Sequence, residues 1–105
     1  MIWKLFVDDD RYPIDNSWVL ARNFDDAVWY ITNYGIPSFI SFDHDLGHKN
    51  NRTGLDIAKW MANYILDNDI TLPDGFDYYV HSQNPVGRDN IIGYMKSFMQ
   101  AIGER

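Results

Sequence analysis

The groups able to do chemistry in this chain stand in three short polar clusters: Asp8-Asp9-Asp10-Arg11, Asp43-His44-Asp45 and His81-Ser82-Gln83-Asn84. Each follows directly on an apolar run of strand length. Carboxylates held together repel, raise one another's pKa and call for a cation or a shared proton. An oxygen-rich set suits Mg²⁺, with Mn²⁺ or Ca²⁺ as alternatives. Asp8, Asp9 and Asp43 are the expected metal ligands. Asp43 and Asp45 stand two apart, so in an extended segment they project to one side while His44 points away.

All three histidines, His44, His48 and His81, fall at or just after expected strand ends. Histidine is the usual general acid or base near neutral pH. His44 and His81 occupy equivalent positions on different strands. They are therefore placed to act as base and acid on opposite sides of a phosphorus atom, with Asp43 completing the catalytic set. His48 and Asp10 read as bystanders in polar loops. Asn84-Pro85-Val86-Gly87-Arg88 leads into the last helix, whose first free backbone N–H groups form an anion site. Ser82, Asn84, Gly87 and Arg88, with Arg11 from the first cluster, are the expected phosphate ligands. The glycine–lysine–serine/threonine pattern of a Walker loop is absent.

The elements that must position these groups are legible around them. Four strands are expected, within Ile2–Val7, Trp18–Ala21, Ser38–Phe42 and Phe76–Val80. The near-continuous apolarity of the first points to a strand covered on both faces. Asn23 caps a helix with Ala27, Val28, Ile31 and Tyr34 on one face and Gly35 closing it. Thr53 caps a second, with Leu55, Ala58, Met61, Ala62 and Ile65 inward; the last carries Ile91, Ile92, Met95, Phe98, Met99 and Ile102. Strands alternating with helices predict an α/β fold of four mostly parallel strands. In such an open sheet the carboxyl ends of the strands line the ligand crevice, which brings the three clusters to one edge.

The 105 residues make one domain, 1–105, too short for two. A net charge of -6 argues against a protein that grips duplex DNA by neutralising its phosphates. With no cysteine there are no disulfides and no zinc–thiolate site, and the default setting is a reducing cytoplasm. The apolar run at the N-terminus is too short for a signal peptide or a membrane span.

On these residues the chain resembles the cyclic-phosphate-processing receiver-like family, a shortened relative of response-regulator receiver domains. The matching blocks are Val7-Asp8-Asp9-Asp10-Arg11, Trp18 with Arg22, Ile40 to Gly47, Thr53-Gly54-Leu55-Asp56, and Val80 to Arg88. The resemblance implies a small three-layer receiver-like sandwich with its site at the strand C-termini, and processing of a cyclic phosphate on a nucleotide or RNA end. Asp8, Asp9, Asp43 and Ser82 fill the acidic-pair, phosphoacceptor and hydroxyl positions of a receiver, but no fifth strand and following lysine are found. That gap and the added His44 and His81 favour hydrolysis over phosphorelay.

The resulting expectation is a metal-dependent phosphoesterase whose partner is a small nucleotide or RNA-end ligand carrying a cyclic phosphate. A non-catalytic binder of the same ligands and a phosphoacceptor receiver using Asp43 are the alternatives. The compact, aromatic-rich chain would also suit a phage protein.

Overall fold

The computed structural model describes residues 2–47 and 51–104 of the chain. His48 lies outside the described residues. Four strands, β1 (Lys4–Val7), β2 (Trp18–Ala21), β3 (Phe39–Phe42) and β4 (Asp77–Val80), form one sheet in the order β2-β1-β3-β4. Every pairing is parallel, with Val7 opposite both Ala21 and Phe42, and Phe42 opposite Val80. This register brings the chain exits of β1, β3 and β4 side by side.

Three helices complete the fold: α1 (Phe24–Tyr34), α2 (Gly54–Asp67) and α3 (Pro85–Gly103). The Asn23 side chain caps α1 by accepting from the Asp26 N–H, and Gly35 ends it at φ 87°. Thr53 and Asp56 form a reciprocal capping box at the start of α2. The Asn84 side chain accepts from the Gly87 N–H at the start of α3, where Pro85 is tolerated because the first helical N–H has no partner to lose.

The crossovers through α1 and α2 run in the same direction across the sheet. Right-handed crossovers in one direction lie on one face, and α2 packs against both α1 and α3. The helices therefore form a single row. Beneath it Leu5, Val7, Ala21, Ile40 and Phe42 are fully buried, with Ile31, Ile57, Met61, Ile65, Ile91 and Met95 from the helices. The opposite face carries no helix among the described residues, because a loop rather than a helix joins β1 to β2. The receiver-like sandwich is thus leaner than its sequence implied: two layers stand where three were expected. β1, expected to be covered on both faces, is sealed on one only.

On that open face Lys4, Phe6, Trp18, Leu20 and Phe39 are half-buried and Tyr79 is exposed. The side chains shield one another. Trp18 meets Phe6 and Phe39 edge-to-face, and the Lys4 ammonium sits 4.4 Å from the Trp18 ring centroid. No described helix is long and apolar enough to cross a membrane.

Candidate active site

Asp8 directly follows β1, and its backbone N–H still reaches across to the Ala21 carbonyl. The side chain is fully buried and takes four donors. Oδ1 accepts from the N–H groups of Asp10 and Arg11, at 2.9 and 2.8 Å. Oδ2 accepts from Arg11 Nε at 2.9 Å and faces His81 Nε2 at 3.0 Å. Burial is the largest single influence on this carboxyl and raises its pKa. The two backbone N–H groups, His81 and the Arg11 charge together outweigh it, and the pKa ends below the ordinary value.

Asp43 leaves β3 in the same way, its N–H donating to the Val7 carbonyl at 2.9 Å. Its side chain is also buried, bonded to the Ser82 hydroxyl, with Arg11 Nη2 at 3.5 Å. Here burial dominates, the Asp8 charge adds to it, and the pKa is raised despite Arg11, His81 and Ser82. As pH falls, Asp43 therefore takes up a proton before Asp8 does. Arg11, whose side chain is 42% exposed, spans both carboxylates from the solvent side. Arg22 backs this loop, donating from Nη1 to the carbonyls of Asp8 and Arg11.

His81 follows β4, anchored by its N–H to the Phe42 carbonyl. The imidazole stacks on Phe6 at 4.5 Å and 6°, and both ring nitrogens are engaged: Nε2 with Asp8, Nδ1 with Ser41 Oγ at 2.7 Å. Burial lowers its pKa against the raising influence of Asp8 and Asp43, so the ring is neutral at pH 7. One ligand atom each from Asp8, Asp43 and His81 lies within 4.8 Å of the others. Above them opens a cavity of about 590 Å³ lined by Asp8, Asp9, Asp10, Arg11, Asp43, Asp45, Gln83, Asn84 and Pro85.

A family model described as the cyclic-phosphate processing receiver domain matches residues 3–97. The chain belongs to this family. The match takes in all four strands and all three polar clusters. No curated protein and no solved structure matches the chain significantly. The family's name links a receiver-type domain to cyclic-phosphate processing, and in this chain acidic residues stand at the exits of β1 and β3 and a hydroxyl, Ser82, follows β4.

Around these groups the remaining expected residues are distributed unevenly. Asp43 and Asp45 do not pair. The chain bends after Phe42, so Asp43 turns inward to Asp8 while Asp45, exposed, meets His44 Nδ1 at 3.0 Å and Asn84 Nδ2 at 3.3 Å. His44 is packed against α3 where Gly87 has no side chain; a Cβ there would stand 2.3 Å from the imidazole Cγ. Asp9 is exposed on the cavity wall beside Gly47. Asp10, expected to stand aside, lines the cavity as well.

Ser82 is buried and holds Asp43 while accepting from the Asn84 N–H at 3.1 Å. The start of α3 is largely self-satisfied: Gly87 N–H is bonded to Asn84 Oδ1, and Pro85 has no N–H. Arg88 does not face the acidic cavity. It lines a separate one along the free edge of β4 with Asp77, Tyr78, Tyr79, Val80 and Ile92. Ser41 carried no chemical signal in the sequence, since a lone serine among Phe39, Ile40 and Phe42 reads as a strand position.

Proposed function

We propose that this receiver-type domain is a divalent-cation-dependent phosphoesterase that opens a cyclic phosphate on a nucleotide or RNA end. The observation that carries the reading is the convergence of Asp8, Asp43 and His81 on one point beneath an open polar cavity. Two carboxylate oxygens and an imidazole nitrogen fit Mg²⁺ or Mn²⁺. Asp9, on the cavity wall, is positioned to contribute through water. A cation held there supplies a Lewis acid for a phosphoryl oxygen and lowers the pKa of bound water.

The chain's own groups account for the rest. Arg11 spans the two carboxylates from the solvent side, and its guanidinium is the group best placed to leave them for a phosphate, which it can grip with two N–H donors. His44 is oriented by Asp45 at Nδ1, which leaves Nε2 to accept a proton from attacking water. The water oxygen forms the new P–O bond, one ring ester P–O bond breaks, and the freed hydroxyl takes a proton from solvent in the open cavity. His81 supports the carboxylates instead of serving as the expected general acid, because both its ring nitrogens are committed, to Ser41 and to Asp8.

A second reading, a binder that sequesters the same ligands, has one specific observation behind it. Arg11 already pairs with both Asp8 and Asp43 and offsets part of their charge without a cation. A panel of cyclic phosphates, tried with and without chelator, separates the two. The proposal expects turnover by wild type with added Mn²⁺, none in chelator, and loss on Asp43→Asn or His81→Ala. Tight binding with no product from any member of the panel would leave the binder.

A further inference from the structure

We propose that Ser41 is a positioning residue for the cation site, acting through His81; this rests on the reading of Asp8, Asp43 and His81 as cation ligands. Ser41 stands in the middle of β3 on the helix-free face, in register with Phe6 on β1. At 4% exposure its hydroxyl has no access to a ligand, so it is not a nucleophile. Its Oγ lies 2.7 Å from His81 Nδ1. The Phe6 ring, parallel to the imidazole at 4.5 Å, fixes the ring plane, and Ser41 fixes the rotation within that plane. Nε2 is thereby aimed at Asp8 and the point shared with Asp43.

A serine suits this position in both states of the site. In the cation-free protein the ionised Asp8 only accepts, so Nε2 carries the hydrogen and Nδ1 accepts from the Ser41 hydroxyl. With Nε2 given to a cation, the hydrogen resides on Nδ1, and the same hydroxyl rotates to accept it. Histidines that bind metals almost always donate their other N–H to such a partner. Alanine at position 41 leaves Nδ1 without a partner and the ring free to turn over.

The test combines imidazole nitrogen NMR on the cation-free protein with Mn²⁺ calorimetry, on wild type and Ser41→Ala. The proposal expects a single Nε2–H tautomer for His81 in wild type, mixed tautomers in Ser41→Ala, and an affinity for Mn²⁺ lowered about tenfold or more by the substitution. Unchanged tautomer and unchanged affinity in Ser41→Ala overturn it. Should wild type bind no Mn²⁺, the cation reading fails by itself, and the tautomer comparison still decides whether Ser41 orients His81. Should Ser41→Ala not fold, a wild-type His81 in mixed tautomers overturns the proposal without it.

Discussion

At the residue level the two buried carboxylates respond to pH in opposite directions. Asp43 binds its proton more tightly in the folded chain, because burial and the Asp8 charge both oppose ionisation. Its proton favours folding at low pH, and that contribution is lost as pH rises through the raised value. Asp43→Asn removes an unfavourable charge, and its melting temperature at pH 7 is expected above wild type by the equivalent of about 0.5–2 kcal/mol. The gap should close as pH falls toward the ordinary carboxylate range. Asp8, with its lowered pKa, contributes stability that is present at neutral pH and lost as pH falls through that value. Asp8→Asn turns an NH₂ toward Arg11 Nε and His81 Nε2, donor against donor. It is expected to destabilise by roughly 2–3 kcal/mol at pH 7, measured by denaturant unfolding. Arg11→Ala should change stability by less than about 1 kcal/mol, since the side chain is partly exposed. The same change should tighten Mn²⁺ binding by several-fold; weaker binding would show that the guanidinium does not compete with the cation.

At the level of elements, the site depends on α2 and α3 pressing against the loop after β3. A Cβ on Gly54 would stand 1.9 Å from the Asp43 carbonyl oxygen, so Gly54→Ala must displace α2 from the strand exit that carries Asp43. A loss of about 1–3 kcal/mol is expected, the usual range for forced overpacking. Gly93, in α3, has nothing within 4 Å of an added Cβ, and Gly93→Ala should stabilise by roughly 0.5–1 kcal/mol. Thermal melts of the two variants should shift in opposite directions. The elements themselves were legible in the sequence. Apolar runs ending in Asp8, Asp43 and His81 marked three strand exits, and Asn23, Thr53 and Gly35 act as caps where local chemistry placed them. What depended on the path of the chain outside the strands was not legible. The bend after Phe42 separates Asp43 from Asp45, and the helical phase of α3 carries Arg88 to the β4 edge. Ser41 gains its meaning only from the ring that lies over it.

For the whole molecule, a single helix row leaves one sheet face to its own aromatics while every expected ligand of the cation arises at the opposite end from the strand entries. The net charge of -6 is partly concentrated there, so a divalent cation should stabilise the fold. Mn²⁺ at about a hundred times its dissociation constant should add about 2.7 kcal/mol, and Asp43→Asn should abolish most of that gain. Hydrolysis of a cyclic phosphate at this site can be read by phosphorus NMR of a cyclic-phosphate ribonucleotide incubated with the protein and Mn²⁺ in ¹⁸O-enriched water. The cyclic resonance is expected to give way to a phosphomonoester carrying one ¹⁸O, with no conversion in chelator. A cyclic resonance that persists, or that only broadens as protein is added, would contradict it.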